Sequence, residues 1–275
     1  MTDLPTDRTA GSGRDPLIEV RGATIGYHGT PVLAAVDFTL SLGEVVALVG
    51  ANGSGKSTLV RGLLGLAQVT AGTVELFGQP LGRLPDRTRL GYVPQRHHPA
   101  GVVPCTVREL VGTGRLPRMR RLRPTSAADR RAVTAAMAAV GLADQAGTPV
   151  AHLSGGQQRR ALIARALAGS PEVLVMDEPL AGVDQASQEA LAEALEGLVG
   201  RGATLLIVLH ELGPLAPLVT RVVALRQGSV VYDGPPLPEV HAAYGGDAEH
   251  HHEHGGVELP GLGLRAPGGP NGDSD

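Results

Sequence analysis

Val45-Val46-Ala47-Leu48-Val49-Gly50-Ala51-Asn52-Gly53-Ser54-Gly55-Lys56-Ser57-Thr58 is the stretch on which the reading of this chain turns. Five apolar residues in a row, without polar alternation, are the pattern of a strand buried on both faces of a parallel sheet. They open into G-x-x-x-x-G-K-S, and a helix is predicted from Ser57 with Leu59, Val60, Leu63 and Leu64 on its inner side. Glycines let backbone N–H groups curl around phosphate oxygens, and the helix that follows points its positive end at them. Lys56 would reach the β- and γ-phosphates and the Ser57 hydroxyl would bind Mg²⁺. Gly50, Asn52, Gly53, Ser54, Gly55, Lys56, Ser57 and Thr58 are therefore candidate nucleotide-binding residues. An ordinary turn in a chain with 39 glycines is the plainer reading. The lysine argues against it.

Of the 24 Lys and Arg residues, Lys56 alone is lysine, so a chain that otherwise uses arginine has kept a compact ammonium at the one place where this loop needs it. The composition is otherwise permissive. Among 275 residues, 42% are hydrophobic, but there are only two Phe, four Tyr and no Trp, which points to an aliphatic core of strands and covering helices. A net charge of -3 gives no general attraction to nucleic acid or to an anionic membrane. One cysteine, Cys105, forms no internal disulfide. No run reaches the ~18 apolar residues of a membrane-spanning helix, and Met1–Asp15 has acids but no apolar centre, unlike a signal peptide.

Residues 1–16 and 236–275, rich in Gly, Pro, Asp and His, read as disordered tails around one domain at 17–235. Leu17–Tyr27 and Val32–Leu42 alternate as antiparallel strands do. Arg89–Val93 reads as a further strand, and from 96 to 168 the chain turns helical, with Thr125 or Ser126 as a cap and Gly141 as a stop. Strands return at Val173–Met176 and Leu205–Leu209, with an amphipathic helix carrying Leu191, Leu195 and Leu198 between them. The pair Val222–Leu225 and Val230–Tyr232 closes the domain. The expected fold is α/β: a mainly parallel sheet with flanking helices, an antiparallel β subdomain and a helical subdomain.

Val173-Leu174-Val175-Met176-Asp177-Glu178 is an apolar strand ending in two acids, at the sheet end where ligands bind in open α/β folds. Asp177 would hold Mg²⁺ through water and Glu178 would polarise the attacking water. Leu153-Ser154-Gly155-Gly156-Gln157 precedes a second helix and offers a second anion-binding N-terminus.

With these motifs in place the chain resembles the ABC ATPase family, over about residues 17 to 235. Leu153–Gln157 is that family's signature motif. The resemblance implies a P-loop NTPase fold, ATP and Mg²⁺ as ligands, and two subunits paired head to tail. In such a pair, Ser154, Gly155, Gly156 and Gln157 of one copy close over the γ-phosphate held by the other. It further implies that Tyr27 stacks on adenine, that Gln95 touches Mg²⁺ and relays to a membrane partner, that Asp184 crosses the subunit interface, and that His210 contacts the γ-phosphate. Glu178, His210 and Gln95 are then the catalytic candidates, and Ser57, Gln95 and Asp177 the metal ligands.

Within the family, Gly91–Gln95 through Cys105–Leu110, and Asp177–Asp184, look like the zinc and manganese importers. The expected partners are a second copy, a transmembrane permease and an extracytoplasmic solute-binding protein, on the cytoplasmic face of the cell membrane, with no nucleic acid. The alternative is a soluble member of the family in a non-transport role such as iron-sulfur cluster assembly. Asp247, Glu249, His250, His251, His252, Glu253 and His254 mix imidazoles with carboxylates, a donor set suited to zinc. Arg115, Arg118, Arg120, Arg121 and Arg123 form a basic run without stacking aromatics, read as a solvated loop near the membrane partner or lipid head groups.

Overall fold

The computed structural model describes residues 15–84, 86–95, 104–118 and 125–237. The His-rich segment and Arg120, Arg121 and Arg123 lie outside the described residues. Chain entry is a hairpin: β1 (Ile18–Tyr27) and β2 (Thr30–Leu40) pair antiparallel from Ile18↔Leu40 to Tyr27↔Thr30. His28 and Gly29 join them with φ of 50° and 82°, the positive pair whose twist suits a two-residue hairpin turn. The apolar run forms β3 (Val45–Val49), and α1 (Lys56–Leu63) follows the glycine loop. β4 (Gln68–Leu76) then pairs antiparallel with the free side of β1, and β5 (Gln79–Pro80) adds a short edge, giving a four-stranded sheet in the order β2-β1-β4-β5.

The rest of the chain builds the larger sheet. β6 (Leu90–Val93) is followed by α2 (Val107–Gly112), α3 (Ala127–Ala139) and α4 (Gly155–Ala168). Then come β7 (Val173–Asp177), α5 (Gln185–Val199), β8 (Thr204–Val208), β9 (Arg221–Arg226) and β10 (Ser229–Gly234). The strand order is β10-β9-β3-β8-β7-β6, parallel from β9 to β6, with β10 antiparallel at the edge.

The central strands explain why the sequence shows runs rather than alternation. In β3, Val45, Ala47 and Val49 face one apolar cluster while Val46 and Leu48 face another. β7 and β8 divide the same way, with Leu174, Met176, Leu205 and Ile207 on one side and Val173, Val175, Leu206 and Val208 on the other. The first cluster is covered by α2 to α5, the second by α1 and the antiparallel sheet. Each fully buried Val or Leu contributes ~1.5–3 kcal/mol relative to exposure.

Helix starts in the helical part are fixed by their own side chains. Thr106 with Glu109, Ser126 with Asp129, and Ser154 with Gln157 each form a capping box. Arg115 departs from the solvated-loop expectation: its Nε donates to Asp129 Oδ1 at 2.8 Å with only 15% of the side chain exposed, and Nη1 donates to the Ala168 carbonyl. It ties the start of α3 to the end of α4. Arg118 donates to the Ser170 carbonyl at 3.4 Å.

Candidate functional site

Four neighbouring parallel strands, β3, β8, β7 and β6, end on one side of the sheet. Their carboxyl ends deliver, in spatial order, the loop from Gly50, then His210, then Asp177 with Glu178, then Gln95. Residues separated by more than 100 positions thus meet because the strands that carry them are adjacent.

The glycine loop is shaped for close approach. Gly50 (φ 144°) lies so near β9 that an added Cβ would stand 2.3 Å from the Leu225 carbonyl oxygen, and Gly53 and Gly55 have φ of 77° and 109°. Lys56 Nζ donates to the carbonyls of Gly50 at 2.5 Å and Ala51 at 3.0 Å, so the ammonium lies inside the curl of the loop. Lys56, Ser54 and Thr58 are buried, whereas Ser57 is half-buried at the second position of α1 and Asn52 is exposed. Tyr27 ends β1, and its hydroxyl accepts from Arg61 Nη1 at 3.2 Å.

At the same end of the sheet, Glu178 is held on both carboxylate oxygens. His210 Nε2 donates to Oε1 at 2.8 Å and Gln95 Nε2 donates to Oε2; only 11% of the Glu178 side chain is exposed. Asp177 is buried, and burial, reinforced by the Glu178 charge, raises its carboxyl above the usual range. Two buried polar atoms in this row have no partner among the described residues: Ser54 Oγ and Asp177 Oδ1. An unpartnered carboxylate oxygen near the Lys56 ammonium, at a glycine loop that starts a helix, fits a phosphate ligand with a divalent cation.

The Ser154 turn starts α4. Its capping box is closed: Ser154 Oγ accepts from Gln157 N at 3.2 Å, and Gln157 Oε1 accepts from Ser154 N at 3.0 Å. Gly156 packs against Ser187, where a Cβ would meet Ser187 Cβ at 2.3 Å. Ser187 in turn donates to Asp184, the N-cap of α5, through N at 3.0 Å and Oγ at 2.8 Å. The Asp184 loop and the Ser154 turn are therefore packed into one unit. A cavity of about 240 Å³ opens beside them, lined by Gln95, Cys105, Leu110, Arg159 and Gly182.

The structure brings together Gln95, Asp177, Glu178 and His210, and packs the Ser154 turn with the Asp184 loop on the other side of a cavity that Gln95 also lines. Arg159 was not among the sequence candidates although it lies directly behind Gln95 and Glu178. The only signal for it was its place two residues after Gln157, in a chain full of arginines.

A glycine loop, a strand-end acid pair and a second capped turn on one α/β sheet define a P-loop ATPase. A sequence profile of the ABC transporter family matches residues 33–181, and the chain belongs to that family. It is 37% identical over 195 residues to the manganese transport system ATP-binding protein of Bacillus subtilis, covering 71% of this chain and 77% of that one. Identity to the zinc import ATP-binding protein of Brucella abortus is 36% over 266 residues, covering 92% and 82%. Identity to the hemin import ATP-binding protein of Nocardia farcinica is 39% over 241 residues, covering 85% and 82%. The chain is thus an ATP-binding subunit of an ABC transporter and an ATPase, not a family member in a non-transport role. Among the described residues no helix is long and apolar enough to cross a membrane.

Proposed function

We propose that this subunit hydrolyses ATP to power import of a divalent metal ion, zinc or manganese. The observation that carries the hydrolytic half is the Glu178 carboxylate, gripped by Gln95 and His210 at the same sheet end as the loop that buries Lys56. In this reading the loop N–H groups and Lys56 bind the β- and γ-phosphates, and Tyr27 stacks on adenine. Ser57, Asp177 and Gln95 would hold Mg²⁺, which when bound neutralises charge on the phosphate oxygens. Glu178 orients the attacking water and accepts its proton, while His210 and Gln95 fix the direction of the carboxylate. Ser154–Gln157 and Asp184, packed together through Gly156 and Ser187, serve the site of a second copy placed head to tail. Gln95 lines the cavity beside α2, so a permease segment seated there would act on the catalytic row directly.

The cargo rests on likeness to the manganese and zinc proteins, and the hemin relative supplies a competing cargo. Import further implies a solute-binding protein outside the membrane and this subunit on the cytoplasmic face. The test is uptake into proteoliposomes that contain the chain with its membrane subunit and solute-binding protein. Zinc, manganese and hemin are offered separately, with ATP supplied on the side of this chain. Accumulation of zinc or manganese alone is expected. Uptake of hemin alone would replace the cargo, and ATP-independent or absent uptake of all three would overturn the reading.

A further inference from the structure

Arg159 sits on the second turn of α4 and is 7% exposed. A guanidinium carries five N–H donors in one rigid plane, and here each direction of the fork is used on a backbone carbonyl. Nη1 donates to the carbonyls of Pro94 at 2.7 Å and Gln95 at 3.0 Å. Nη2 donates to Asp177 at 2.8 Å and Glu178 at 2.5 Å, and Nε to Pro179 at 3.1 Å. One side chain therefore binds the segment after β6 and the segment after β7 in a single plane. Its cationic charge is placed between the carbonyls rather than on a carboxylate oxygen.

Those two segments carry Gln95 and Glu178, and His210, the other group on the Glu178 carboxylate, follows β8. The backbone of Glu178 is itself unusual, with φ of 46°. A residue with a Cβ persists in the left-handed region only where its surroundings over-determine it. Backbone hydrogen bonds do so: Glu178 N donates to the Val208 carbonyl at 3.0 Å, Ala181 N donates to the Glu178 carbonyl at 3.2 Å, and Arg159 holds the carbonyls of Asp177, Glu178 and Pro179. The peptide units on both sides of Glu178 are thus pinned, and the carboxylate is aimed at Gln95 and His210. α4, which carries Arg159, begins at the Ser154 turn. Any displacement of that helix acts on Gln95 and Glu178 through one rigid plate.

We propose that Arg159 is a positioning residue for hydrolysis, which holds the Gln95 and Glu178 backbones in one frame and couples that frame to the helix behind Ser154. The proposal rests on the assignment of Glu178 as the residue that orients water. Arg159 touches no candidate phosphate-binding atom, so its loss should slow turnover without weakening the hold on ATP.

The test uses the full chain assembled with its membrane subunit, comparing the parent with Arg159→Lys and Arg159→Met. Lysine keeps the charge but has at most three donors and no planar fork. Methionine keeps much of the volume and has no donor. Expected is a fall in kcat of ~10-fold for Lys and ~100-fold for Met, with KM for ATP within ~3-fold of the parent. Gln95→Ala added to Arg159→Lys should cost no more than ~3-fold beyond the worse single variant, because both act on the same carboxylate. Should Arg159→Met fail to fold, Arg159→Lys decides alone. A kcat within ~2-fold of the parent, a parallel loss of kcat, ATP binding and melting temperature, or multiplicative effects with Gln95→Ala would each overturn the proposal. Glu178→Gln is run alongside. If it retains turnover, the assignment of Glu178 fails; if it is silent while the Arg159 variants are normal, only the Arg159 proposal fails.

Discussion

Lys56 shows how much one position can say. Composition marks it, because it is the lone lysine in an arginine-using chain, and the structure gives the reason in space: the ammonium is buried with two loop carbonyls at 2.5 and 3.0 Å. A planar guanidinium is too broad to share that curl as a point charge. Lys56→Arg is therefore expected to weaken ATP binding by more than ~10-fold although charge is conserved, as measured by calorimetry on the full chain. Binding at parental strength would show that the loop tolerates any cation. Arg159 is the opposite case. Its five carbonyl partners come from two segments that only the folded sheet brings together, and no spacing in the sequence announces them. The meeting of Gln95 and His210 on Glu178 was equally invisible to spacing; family resemblance supplied those names, and strand adjacency supplies the cause.

At the level of elements, the runs at β3, β7 and β8 and the cap at Ser126 were legible because each follows from local chemistry. β4 was not anticipated. Its first six residues are largely exposed, Gly72 breaks the pattern with φ of 73°, and only Val74 and Leu76 enter the core. What makes it a strand is its pairing with β1, a contact made across α1. The cap at α3 carries a prediction of its own. Ser126 Oγ donates to Asp129 Oδ2 at 2.6 Å, and this bond, then the Arg115 pair, holds the Asp129 carboxyl below its usual range. A depressed carboxyl contributes stability above its unfolded pKa and loses it as pH falls through the folded value. Ser126→Ala should lower Tm by ~2–4 °C at neutral pH, followed by circular dichroism. The difference from the parent should shrink in acid, once Asp129 is protonated. An equal deficit at all pH values would mean that the hydroxyl acts as a cap alone.

For the whole molecule, the Ser154 turn and the Asp184 loop pack together through Gly156 and Ser187, and in the proposed head-to-tail pairing a second copy completes each site. Glu178→Gln keeps the shape of the acid and removes the charge that orients water. On the full chain, turnover should drop by more than ~100-fold while ATP is still bound, and light scattering should show the mass double when ATP is added. Turnover within ~10-fold of the parent would remove Glu178 from its proposed role. The division of β3, β7 and β8 between two apolar clusters also bears on how such a gene can change over time. Losing or gaining one codon inside any of these strands would send every downstream side chain to the opposite core and rotate the catalytic loop that follows. Changes of length are therefore expected in the connections. The strands can vary in residue type but not in count, and they act as a ruler against which the chemistry at their ends is kept in phase.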